Sequence, residues 1–141
     1  MKRLFILALA MMPATAVAQQ ELGSASVHIY RLNPFLARTV RPDVYMDGIK
    51  MASIASGSFF DIQIPAGKHF LYIGNHHAGE HQEPTALVLE PGHEYYLSTA
   101  YFPTGIFYRF ETQMVAPDQG RSDMAELKPL NAKHIKRTSL P

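Results

Sequence analysis

Apolar and polar residues alternate with a period of two through most of the chain beyond residue 24. In residues 25–31, Val27 and Ile29 alternate with Ser26, His28 and Tyr30, the pattern of a strand with one buried face. Residues 32–42 contain Asn33-Pro34 and Arg41-Pro42 and read as a loop. Residues 44–46 and 49–54 are short strands joined by Asp47-Gly48, a hairpin signal. Gly57-Ser58 breaks the run. Residues 59–64 then place Phe60, Ile62 and Ile64 on one face, with Phe59, Asp61 and Gln63 on the other. Pro65-Ala66-Gly67 predicts a turn, because proline presets one central φ and glycine tolerates a positive one.

Residues 68–73 and 85–89 are the next strands, the latter with Leu87 and Leu89 inward. The turn Glu90-Pro91-Gly92-His93 leads into an aromatic strand over 94–102. A turn at Pro103-Thr104-Gly105 precedes the last long strand, 106–115. About eight short strands, with turn signals roughly every 8 to 12 residues, predict an all-β sandwich. Strands and helices do not alternate, which excludes a Rossmann-type sheet. Beyond Pro117-Asp118, residues 121–128 predict a short C-terminal helical segment. Residues 131–141 have little to bury and predict a disordered tail.

The amino terminus has a different pattern. Lys2 and Arg3 precede the apolar run LFILALAMM, and Ala16-Val17-Ala18 supplies small residues at a cleavage site. Residues 1–18 therefore read as a secretory signal peptide, cut before Gln19. The run is too short for a transmembrane helix, which needs about 20 residues. The expected organisation is a signal peptide over 1–18, a polar lead over 19–24, one sandwich domain over 25–130 and a tail over 131–141.

Composition then narrows the chemistry. The whole chain has 13 basic and 12 acidic residues. Losing Lys2 and Arg3 leaves 11 against 12, a net charge of −1, and no basic stripe marks a nucleic-acid surface. There is no cysteine, so there are no disulfides, thiol nucleophiles or thiolate metal ligands. The lipid-bearing cysteine of bacterial lipoproteins is missing too, so no lipid anchor is expected.

Five segments in order, "ASVHIYR" (25–31), "VYMDG" (44–48), "GSFFDIQIPAGKH" (57–69), "LEPGHEYYL" (89–97) and "FYRFETQMV" (107–115), make the chain resemble a bacterial envelope family, domain of unknown function 2846. The hairpin and P-x-G turn are also similar to those of PEGA-type, immunoglobulin-like or transthyretin-like modules. The resemblance implies a single immunoglobulin-like or transthyretin-like sandwich, periplasmic or secreted, and carries no active site.

Three function classes follow. The first is a non-catalytic accessory module binding an envelope protein. The second binds a small ligand or a carbohydrate. Its candidate surface, shared with the first, is Tyr95, Tyr96, Tyr101 and Tyr108 beside Arg109. The third uses His76, His77 and His81, with Glu80 and Glu83 nearby, as ligands for a divalent metal such as copper or nickel. The H-H-x-x-x-H spacing matches no established metal motif, and a solvated polar loop is the better account of it, so no cofactor is expected beyond weak binding of a divalent metal. No G-x-S-x-G elbow, P-loop or paired-acid cleft is present, and no enzyme activity is expected.

Overall fold

The computed structural model describes residues 23–32, 36–74 and 83–141. The proposed signal peptide lies outside the described residues, as do His76, His77 and His81. The fold is an all-β sandwich with one short helix. Its strands are β1 (Ser24–Arg31), β2 (Asp43–Met46), β3 (Ile49–Ser53), β4 (Ser58–Pro65), β5 (Gly67–Gly74), β6 (Thr85–Leu89), β7 (Glu94–Thr104), β8 (Phe107–Val115) and β9 (Lys128–Pro129). The helix is α1 (Pro117–Met124). One sheet has the order β8-β7-β1-β4-β9 and the other β3-β2-β5-β6.

The alternation sets the faces. Antiparallel pairing of β1 with β4 puts Val27 opposite Ile62 and Ile29 opposite Phe60, and all four are buried in the core. The second sheet contributes Val44, Met46, Leu71, Ile73, Leu87 and Leu89 to the same core. On the other face of β1, His28 sits opposite Asp61. Asp47 and Gly48 both have positive φ, as a two-residue hairpin turn requires. Asp47 also ties this turn to β5. Its Oδ1 accepts the Phe70 N–H at 2.8 Å, and its Oδ2 lies 2.6 Å from His69 Nδ1. The other ring nitrogen of His69 is 2.6 Å from the Pro65 carbonyl, so the buried imidazole links two turns.

Three sequence expectations need correction. β7 runs through Pro103 to Thr104, and the chain turns at Gly105 and Ile106. Pairing of β1 with β7 ends at Arg31 and Thr99, so Pro103 interrupts no ladder on that side. The helix starts at Pro117, not after it, because proline suits the first helical position, where its missing N–H is unused. Its end, Met124, falls inside the segment expected to be helical, and Lys128 belongs to β9.

The third correction concerns residues 131–141, which are not a disordered tail. Leu130 is buried, and Ile135 and Leu140 pack against the core. The N–H groups of Lys136 and Arg137 both donate to Met51 O on β3, at 2.7 and 3.1 Å. The Gln63 N–H on β4 donates to Thr138 O at 2.8 Å, and Leu140 N–H returns to Gln63 O at 3.2 Å. This segment is a strap joining one sheet to the other along the side where β3 and β4 lie.

Helix α1 covers part of the outer face of the first sheet. Its approach depends on Gly120, where a Cβ would stand 2.3 Å from the Tyr96 ring. A mid-helix glycine costs about 1 kcal/mol relative to alanine, and this contact accounts for it. The same helix holds Tyr30, which is fully buried and donates its hydroxyl to Asp123 Oδ2 at 2.6 Å. Burial, reinforced by that carboxylate, pushes the Tyr30 hydroxyl up to about 12 from an ordinary value of 10.0. Its contribution to stability is present in full below pH 10 and is lost as pH rises toward about 12. Between about pH 8 and 11.5, the wild type should lose on the order of 2 kcal/mol more than Tyr30→Phe. Urea unfolding at the two pH values measures this, and equal losses would remove Tyr30 as the titrating group.

Candidate functional site

The five residues of the expected aromatic surface do not share one surface. Tyr101 and Tyr108 turn inward with Phe110, their ring centroids 5.5 to 5.9 Å apart, and pack against the core. Tyr95 also packs against the core, and its hydroxyl accepts the Glu90 N–H at 2.8 Å. Tyr96 faces the other way but is only 5% exposed, because α1 lies over it. Arg109 is exposed and paired with Glu111 at 2.5 Å. The strand period divides the set between two faces, and the helix closes the outward one over Tyr96.

Beside Tyr96, the His28 ring stacks at a centroid distance of 4.6 Å. His28 Nδ1 is 2.5 Å from Asp61 on β4, and Nε2 is 3.5 Å from Glu94 on β7. The imidazole is hydrogen-bonded to Asp61 on β4, whereas its Nε2 approaches Glu94 on β7 without a hydrogen bond. Among the described residues, no group of three histidine or acidic side chains is placed to hold a metal ion.

The accessible aromatic face is on the second sheet. Tyr45, Phe70 and Tyr72 project from β2 and β5, with Tyr45 paired to Tyr72 in register. Their outward placement follows from the burial of Val44, Met46, Leu71 and Ile73. With Gly48 and Pro84 they line a groove of about 240 Å³. Phe70 is 46% exposed and Val88 on β6 is 69% exposed. Lys68 Nζ stands 5.3 Å from the Phe70 ring centre. The alternation in residues 68–73 was the signal for this face: it puts Phe70 and Tyr72 opposite Leu71 and Ile73.

A second feature lies at the end of β1. Arg31 is fully buried and turned inward. Its terminal nitrogens donate to Val40 O at 2.5 Å and Ala37 O at 2.7 Å, and the guanidinium lies 5.1 Å from the Phe110 ring centre. Burial pushes this guanidinium below its ordinary value. Thr99, its partner in the β1–β7 register, is 3% exposed. Arg31 Nε and Thr99 Oγ1 are buried without a hydrogen-bond partner among the described residues. Sequence patterning predicts strand and core here but no buried charge, because a terminal arginine on a strand normally reaches solvent.

No family model, no curated protein and no solved structure matches the chain.

Proposed function

We propose that this protein is a non-catalytic accessory module exported to the bacterial envelope, where it binds a partner protein through the outer face of the β3-β2-β5-β6 sheet. The observation that carries this reading is the exposed apolar and aromatic face formed by Phe70, Val88, Tyr45 and Tyr72. Aromatic residues are enriched in the cores of protein interfaces, and an apolar face rimmed by a cation such as Lys68 offers both burial and orientation. Export is supported by the signal-like residues 1–18, and the resemblance of the five sequence segments to an envelope family agrees with it. The absence of cysteine argues for a form without a lipid anchor.

The test places a photo-reactive phenylalanine analogue at position 70 of the full chain in cells, with the same analogue at exposed Gln113 on β8 as control. The expected result is one discrete adduct with an envelope protein from position 70, lost when Val88→Asp is added. The same adduct from position 113, or no adduct from position 70 in a folded and abundant protein, overturns the proposal.

A further inference from the structure

At the end of β1 the first sheet opens. β7 continues to Thr104 after its pairing with β1 stops at Thr99. Beside this overhang is a cavity of about 440 Å³, lined mainly by Leu32, Leu36, Thr99, Tyr101 and Pro103. Its size is that of a small-ligand site, and its walls are largely apolar, as such sites are. Leu32 and Leu36 are 45% and 60% exposed, an unusual outlay of leucine at a mouth unless something covers it.

The polar groups at this place are few and incompletely bonded. Thr99 is one of the lining residues, and its hydroxyl is buried with no hydrogen-bond partner among the described residues. Behind the cavity wall and next to Thr99 in register, Arg31 keeps a buried positive charge; among the described residues its hydrogen-bond acceptors are two neutral carbonyls, and its Nε–H has no partner. A buried cation normally has a carboxylate opposite it, and a buried hydroxyl without a bond is costly. One acceptor carrying a negative charge answers both needs. We infer that the cavity is a binding site for a small amphipathic carboxylate, its head group at Thr99 on the side of the buried Arg31 charge and its apolar body against Leu32, Leu36 and Tyr101. The site is on the opposite sheet from Phe70, so it goes beyond the partner-binding reading and does not depend on it.

Decanoate is the probe, with decanol as the neutral control of equal apolar length. Titration of the isotope-labelled mature chain should move the amide signals of Leu32, Leu36, Thr99 and Tyr101 with decanoate, and decanol should bind at least about tenfold more weakly, as loss of a charged hydrogen bond implies. Thr99→Val keeps the shape and removes the hydroxyl. It should weaken decanoate about tenfold while raising the melting temperature by a few degrees, because an unbonded buried hydroxyl is gone. Leu36→Glu, at an exposed position on the cavity wall, sets a like charge against the ligand and should abolish binding without unfolding the domain. Equal binding of decanoate and decanol, unchanged decanoate affinity in both variants, shifts confined to another surface, or no shifts at all each overturn the inference.

Discussion

Arg31→Ala should lower the unfolding free energy of the protein by about 3–5 kcal/mol, the range of large-to-small changes in a packed interior. The side chain is fully buried, so its removal leaves a void beside Phe110. Two further losses add to the void. Val40 O and Ala37 O lose the donors that hold the loop after β1 against the sheet, and each unmatched buried acceptor costs about 1–3 kcal/mol where water cannot replace the bond. Arg31→Met separates volume from charge. It refills most of the void and abolishes the desolvated cation but leaves the Val40 and Ala37 carbonyls without their donors, so its cost should fall between the wild type and Ala. Arg31→Lys should resemble Ala more than Met, because an ammonium cannot hold two carbonyls with a planar fork. Urea unfolding of the three variants, followed by circular dichroism, gives the order. A wild-type midpoint for Arg31→Ala would show that the guanidinium holds nothing in place.

The buried arginine marks where reading from sequence stops. Alternation was enough to assign the faces of β1 and β4, because Val27, Ile29, Phe60 and Ile62 follow a strict period. Turn chemistry was enough at Asp47-Gly48 and at Gly67, whose φ values are positive. Both signals are local. The parallel pairing of β1 with β7 joins residues far apart in the chain, and no local pattern announces it. Arg31 is buried by that pairing, and Tyr96 by α1 packing through Gly120, so neither environment is written in its neighbours. The start of α1 was misplaced by four residues, because Pro117 was taken as the lead into the helix and not as its first residue. The outward face of Tyr45, Phe70 and Tyr72 was missed, although the alternation of Phe70 and Tyr72 with the buried Leu71 and Ile73 carries its signal. The carboxylate-binding cavity was not legible, because it depends on where β1 stops relative to β7.

Deleting residues 131–141 should cost about 2–4 kcal/mol, whereas removal of a disordered tail costs nothing. The strap lacks both the period of two and the helical period, which is why its sequence looks unstructured. Its attachment uses mostly backbone groups: N–H of Lys136 and Arg137 to Met51 O, Gln63 N–H to Thr138 O, and Leu140 N–H to Gln63 O. Each such bond contributes about 0.5–1.5 kcal/mol net. Ile135 and Leu140 add partial burial against the core, on the order of 1 kcal/mol each. Against this stands the entropy of ordering the segment, roughly 1 kcal/mol or more per residue, so only part of the gross gain survives. The loss should be local before it is global. With the strap gone, the Gln63 amide on β4 has no acceptor, and its hydrogen exchange should accelerate more than that of Val27 in the centre of the same sheet. Ile135→Asp should reproduce a large share of the effect in the full-length chain, because it puts a charge where the strap crosses Ala52 on β3. If the truncated chain keeps both the wild-type urea midpoint and slow exchange at Gln63, the two sheets hold together by the core alone, and the strap is an ornament of the fold.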